Sequence, residues 1–218
     1  VTGVQTCALP IWLATSDGLF QRKNRQWLNL NEYVMDAGLL RNFFSIAAGK
    51  TPGDVIFGST FAISKIAADG EHWNFTGEDG LPFAPVTKIV QTENALWLGT
   101  SNGAIKKDEK WHYYGGKRWL PDNKINDILP VAENSVWIAT AKGISEIAQV
   151  TYSFEKKSEY FEKRLNQRHL HHNLVSDCRF ETPGDTASWS CHTNDNDGLW
   201  TSIYLAAEIG RASCRERV

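Results

Sequence analysis

Trp97-Leu-Gly-Thr-Ser-Asn-Gly103-Ala-Ile105 is a short apolar run that stops at Thr-Ser-Asn-Gly and then resumes. Such a run is too short and too β-prone for a helix, and turn residues bound it, so it reads as a strand entering a hairpin. Gly103 stands where a tight hairpin needs positive φ, with Asn favoured just before it. The motif recurs at Trp12-Leu-Ala-Thr-Ser-Asp-Gly18-Leu-Phe20, Phe57-Gly-Ser-Thr-Phe-Ala-Ile63 and Trp137-Ile-Ala-Thr-Ala-Lys-Gly143-Ile-Ser145. The first residues of the four copies are 45, 40 and 40 positions apart. A four-stranded propeller blade needs about 40 to 50 residues. Residues 12–147 are therefore expected to form a partial β-propeller of about three to four blades, each a four-stranded antiparallel sheet.

The match extends through the whole period. An aromatic follows the turn at Trp27, Trp73 and Trp111, and then come Ala37-Gly-Leu-Leu40, Asp79-Gly-Leu-Pro82 and Trp119-Leu-Pro-Asp122. An apolar strand follows at Phe43-Phe-Ser-Ile46, Val86-Thr-Lys-Ile-Val90 and Ile125-Asn-Asp-Ile-Leu129. Trp12, Phe57, Trp97 and Trp137 head their strands and are expected to fill the wedge between neighbouring blades. Ala14, Gly58, Gly99 and Ala139 are small where inner strands crowd the central channel. Gly18, Gly103 and Gly143 serve the hairpins; the second copy has no Gly at that place, which weakens the hairpin expectation there. For all of these residues the packing role is preferred to ligand stacking.

On Trp97-Leu-Gly-Thr-Ser-Asn-Gly103 and Leu120-Pro-Asp-Asn-Lys-Ile-Asn-Asp-Ile128 the repeat resembles that of two-component regulator propellers. The resemblance covers Trp12 to about Ile147 and is weakest in the second copy. It implies an extracytoplasmic sensor propeller of bacterial hybrid histidine kinases, or a propeller of secreted carbohydrate-active proteins, hence a periplasmic or secreted address. Three periods and the edge of a fourth are too few to close a ring of about four to eight blades in a class that mostly needs seven or more, so more blades are expected upstream. The open blade edges should make an isolated fragment poorly soluble.

Val1 to Ile11 and Ile209 to Val218 are both encodable in frame by common short-read sequencing adapters, and the two ends are read as adapter-derived, outside fold reasoning. Without them the 23 Lys and Arg fall by three Arg to 20, and the 25 Asp and Glu fall by one Glu to 24. The segment is mildly acidic with no basic block, which excludes an electrostatic footprint for nucleic acid or an anionic membrane. No apolar run approaches the roughly 20 residues of a membrane-spanning helix. Of the four Cys, Cys7 and Cys214 lie in the end segments, leaving Cys178 and Cys191 as a disulfide or as two free thiols.

After Ile147 the periodicity stops. Residues 148–157 read as a linker, and 158–208 as the start of an α-helical domain. Tyr160, Phe161 and Leu165 fit one amphipathic helix, and Leu199, Ile203 and Ala206 or Ala207 a second that Asp197 can cap. On Tyr160-Phe-Glu-Lys-Arg164, Leu174-Val-Ser-Asp177, Thr182-Pro-Gly-Asp185 and Asn194-Asp-Asn-Asp-Gly-Leu-Trp-Thr-Ser-Ile-Tyr204 the segment resembles the opening of an (α/α) toroid domain. Many toroid domains act on glycans, so the resemblance implies a carbohydrate-active parent whose catalytic domain is cut short.

Asn194-Asp195-Asn196-Asp197-Gly198 invites a calcium reading, but an EF-hand alignment puts Thr193 at the first ligand position and Tyr204 where a bidentate Glu belongs. Two readings remain: Asn194, Asp195, Asp197 and Trp200 as a cavity-facing substrate or cation site, or a polar turn with a helix cap. His169, His171, His172 and His192 lack zinc spacing, and Arg168-His-Leu-His-His172 reads as a solvated linker or helix end. No metal and no cofactor are expected. Two functions follow, a sensor module binding a glycan or other extracellular small ligand, or part of a polysaccharide-processing enzyme. Catalytic residues and oligomeric state are not readable from the sequence.

Overall fold

The computed structural model describes residues 11–31, 42–82, 85–182 and 185–215. The chain is mainly β and divides into two compact units, 1–149 and 150–218. The first unit holds four consecutive antiparallel sheets. They are β1 (Ile11–Thr15), β2 (Gly18–Lys23) and β3 (Gln26–Asn29); β4 (Ser45–Ala48), β5 (Val55–Gly58), β6 (Ile63–Ile66) and β7 (His72–Phe75); β8 (Val86–Gln91), β9 (Leu96–Thr100), β10 (Gly103–Lys107) and β11 (Trp111–Tyr114); and β12 (Ile125–Ala132), β13 (Ser135–Thr140) and β14 (Gly143–Ala148). Each sheet is a meander in chain order, so each blade is one period of the repeat. The segment 32–41, which contains Leu40 of the expected linker, lies outside the described residues.

The threonine of the motif holds the hairpin together. Thr100 Oγ1 donates to the carbonyl of Gly103 at 2.8 Å and accepts from the Asn102 N–H at 3.0 Å. Thr15 does the same with Gly18 and Asp17, and Thr140 with Gly143 and Lys142. The three glycines have φ of 139°, 122° and 142°, which a side chain would strain. In the second blade a hairpin forms without the glycine. Ser59 takes the threonine's place: its Oγ donates to Ala62 O and accepts from the N–H groups of Phe61 and Ala62, closing a turn of the same length with Ala62 where the other copies have glycine. Thr100 is buried. Thr100→Val keeps the shape and removes both bonds, and should lower stability by about 1–3 kcal/mol, read as a lower urea midpoint.

Successive blades share cores built from equivalent positions. Trp97 and Ala104 of the third sheet pack with Leu120, Ile125, Ile128, Val136 and Ile138 around the fourth. One period earlier the same places are taken by Ile56, Ile63, Leu81, Val86, Ile89, Leu96 and Leu98. Strand pairing fixes the equivalence: Ile56 opposes Lys65 as Trp97 opposes Lys106, each two residues before the glycine of its strand. The residue in register with Trp97 is thus Ile56. Phe57, expected in that place, is shifted by one and lies on the other face of β5. There it is fully buried, equivalent to Leu98, with its ring edge-on to Phe43 at 5.3 Å. A one-residue shift in a strand exchanges faces, so an aromatic match in the sequence misplaced the side chain.

The inner strands join neighbouring blades through Val86 N–H to Ser59 O at 3.1 Å and Ser45 Oγ to Val86 O at 2.7 Å. Behind the turn joining β4 and β5, buried Asp54 binds Lys65 Nζ at 2.5 Å and accepts from the Ala68 N–H at 3.1 Å. The Lys65 ammonium, aided by the Ala68 amide and opposed by burial, holds the Asp54 carboxyl below the usual carboxylate range. A lowered folded pKa stabilises the fold fully above the unfolded value of about 3.9 and loses that contribution as pH falls through the lower folded value. Asp54→Asn should therefore flatten the loss of stability between about pH 5 and pH 2, measured as urea midpoints across that range.

The second unit begins with helix α1 (Phe154–Arg168), capped by Ser153, whose Oγ accepts from the Lys156 N–H. It thus starts four residues before 158, inside the segment read as linker. Two hairpins follow, β15 (Leu170–His171) with β16 (Leu174–Val175) and β17 (Asp177–Phe180) with β18 (Trp189–His192), then helix α2 (Asp197–Arg215). Helix α2 does not break at Glu208: it continues through Arg211, which pairs with Glu162 of α1 and with Glu208. Among the described residues no helix is long and apolar enough to cross a membrane.

Candidate functional site

The first unit carries an open cleft of about 850 Å³. Its shelf is made by β7, where alternation puts Trp73 and Phe75 on one face of the strand. Trp73 is 37% exposed, and its ring lies 4.6 Å from that of Phe75. Phe75 in turn meets the Trp111 ring edge-on at 5.4 Å. Lys107 Nζ sits 5.9 Å from the Phe75 ring centre and 5.5 Å from that of Trp111, close enough for attraction to both faces.

Beside the shelf, the turn between β10 and β11 is organised by Asp108. Its carboxylate accepts from the Lys110 N–H at 3.0 Å, from Lys106 Nζ at 2.9 Å and from His112 Nε2 at 3.1 Å. The Lys110 amide and the Lys106 ammonium, with a smaller contribution from His112, hold the Asp108 carboxyl far below the usual carboxylate range. Lys106 also donates to Gln149 at 3.2 Å. A smaller cavity of about 310 Å³ adjoins this cleft, sharing Lys106, Asp108 and His112 and reaching Tyr114 and Trp119. The combination of an exposed aromatic face, fixed cations and amide side chains suits a small polar ligand with one apolar face.

None of these residues was singled out from the sequence as a site. The available signal was the charged run Lys106-Lys-Asp-Glu-Lys110 following a strand, which alone reads as a solvated turn.

The residues that were singled out lie in the second unit. Asp197 is 3% exposed. Its Oδ2 accepts from Ser176 Oγ at 3.0 Å and from the Asn194 N–H at 3.0 Å. Thr201 Oγ1, one turn on, donates to Asp197 O at 2.6 Å and accepts from the Val175 N–H at 2.8 Å. The carboxylate ties the start of α2 to Ser176, between β16 and β17, and to the backbone of Asn194 in the turn before the helix, rather than to N–H groups of the helix's own first turn as the expected cap would. Its Oδ1 is buried without a hydrogen-bond partner among the described residues. Asp195 is exposed, whereas Asn194 and Trp200 are half-buried, and Asn194 Oδ1 accepts from the Asn196 N–H. His169 Nδ1 faces Ser176 O at 3.2 Å, and the His171 and His172 rings lie 4.1 Å apart. Among the described residues no three His, Cys, Asp or Glu side chains are grouped to hold a metal ion.

No protein-family model matches the chain, and no curated protein matches it in sequence. Among solved structures it is similar to the extracellular domain of the hybrid two component system BT4673 from B. thetaiotaomicron, with TM-score 0.56 and 19% identity over 68% of this chain and 21% of that one. A second structure, of the extracellular domain of the one component system BT4673, gives TM-score 0.56 and 19% identity over 70% and 22%. A streptogramin B lyase structure aligns at TM-score 0.44 and 20% identity over 68% and 54%. The chain spans about a fifth of the length of the two BT4673 domains. At these identities the likeness is one of fold, and the chain is a partial β-propeller followed by a short helical segment.

Proposed function

We propose that the chain is part of an extracytoplasmic sensor propeller and that the cleft beside Trp73 takes a small extracellular ligand, a glycan or similar polyhydroxylated molecule. The observation that carries this reading is the Trp73–Phe75 shelf, left open next to Lys107 and the fixed Asp108 carboxylate. Stacking a sugar face on an aromatic ring while neighbouring charges bind hydroxyls is the balance of apolar and polar contact that small-molecule sites use. The likeness to extracellular domains of a two-component protein agrees with it. The alternative, a parent enzyme of the (α/α) toroid class, is carried by sequence resemblance; of its proposed acids, Asp197 is buried and holds Ser176 and the Asn194 backbone, and Asp195 is exposed.

Calorimetric titration of the chain with a panel of neutral and acidic oligosaccharides tests the proposal. We expect at least one to bind, and Trp73→Ala to weaken it at least about tenfold, or 1.4 kcal/mol. Absence of binding across the panel, or binding unaffected by Trp73→Ala, would overturn it.

A further inference from the structure

We propose that Cys178 and Cys191 form a cross-strand dithiol that closes to a disulfide by exchange with a small-molecule disulfide such as oxidised glutathione. The two residues are direct partners in the β17–β18 ladder. Opposed residues of an antiparallel pair point to the same face with Cα atoms about 4.5–5.5 Å apart. That separation lies inside the range of about 4.4–6.8 Å that a disulfide spans, so closure asks no strand movement. Both thiols are free and half-buried, reachable by a small reagent. Cys191 Sγ donates to Arg168 O at 2.8 Å, which anchors one sulfur at the end of α1. Burial raises the pKa of the Cys178 thiol, and the adjacent Cys191 raises it further.

The exchange balances in two steps. One cysteine thiolate attacks oxidised glutathione, forming a mixed disulfide and releasing one glutathione. The second cysteine then attacks the mixed disulfide, forming the Cys178–Cys191 bond and releasing the second glutathione. The protein loses two hydrogens, and the small disulfide is reduced to two thiols. The new bond would clamp the hairpin two residues beyond Ser176, which holds Asp197 at the start of α2.

The test is peptide mapping by mass spectrometry after the folded chain, carrying Cys7→Ser and Cys214→Ser, is incubated with oxidised glutathione. The expected product is one peptide pair joined through Cys178 and Cys191, two hydrogens lighter than the reduced pair and free of glutathione. With Cys178→Ser added, Cys191 should instead keep a lasting glutathione adduct. Ring closure should run at least about tenfold faster in the folded chain than in concentrated urea, because the ladder preorganises the pair. The proposal falls if both thiols stay alkylatable, if each keeps its own adduct, or if closure is no faster in the folded chain. Should the serine variants fail to fold, the same mapping on the unsubstituted chain decides, since cross-links to Cys7 or Cys214 have different masses.

Discussion

Trp97→Ala is expected to cost about 3–5 kcal/mol of stability, whereas Trp137→Ala, the same residue of the same motif one period later, should cost less than about 1 kcal/mol. Trp97 is 5% exposed and Trp137 is 48% exposed. The Trp97 indole stacks on Tyr114 at 5.6 Å and is covered by Leu120, Ile125 and Ile128 of the next period. Removing it leaves a cavity lined by residues fixed in two sheets, which cannot collapse without separating the blades. Trp137 has Leu129 and Ile144 beside it on the equivalent face of the last sheet, and all three are exposed. Urea titration followed by far-ultraviolet circular dichroism gives both values. Equal losses would mean that the wedge between blades is not what the motif tryptophan fills.

This contrast marks where the sequence stops being informative. The Trp-x-x-Thr motif and its period are legible because each blade uses the same local chemistry, down to the threonine hydroxyl bridging its own turn. Which copy is buried is not legible, because the covering residues belong to the following period. The second blade was misaligned for a related reason: Phe57 resembles Trp97 in type, but the glycine two residues after Ile56 decides the register. In the second unit the start of α1 was missed because Ser153, a good cap, sits in a polar stretch whose apolar period begins only later. That a helix starts near Asp197 follows from its place before an apolar run, whereas the burial of Asp197 beneath Ser176, which takes its carboxylate away from the expected cap, depends on a contact 21 residues away. The cleft was invisible for the same reason, since Phe75 and Lys107 meet only when two blades lie side by side.

Gly99→Val should destabilise the chain by about 3 kcal/mol, at the upper end of the usual cost of overpacking, although the glycine has no unusual backbone angle. The cause is the neighbouring blade. A Cβ at Gly99 would lie 2.7 Å from Ile125 Cγ2 and 3.1 Å from Lys88 Cβ, and the equivalent Cβ at Gly58 would lie 2.8 Å from Val86 Cβ. Val86 and Ile125 are the same position of successive inner strands, so the small residue sets how closely one blade approaches the next. Ala139 holds this place in the last sheet, where no further blade is described, and Ala139→Val should change stability by no more than about 0.5 kcal/mol. A double-mutant cycle separates the clash from the loss of backbone freedom that any Gly replacement brings. Gly99→Ala combined with Ile125→Ala should be less destabilising than the sum of the two single changes by at least about 0.5 kcal/mol, because the methyl groups no longer compete for one space. Strict additivity would place the cost of Gly99 in its own strand and remove the blade-spacing role.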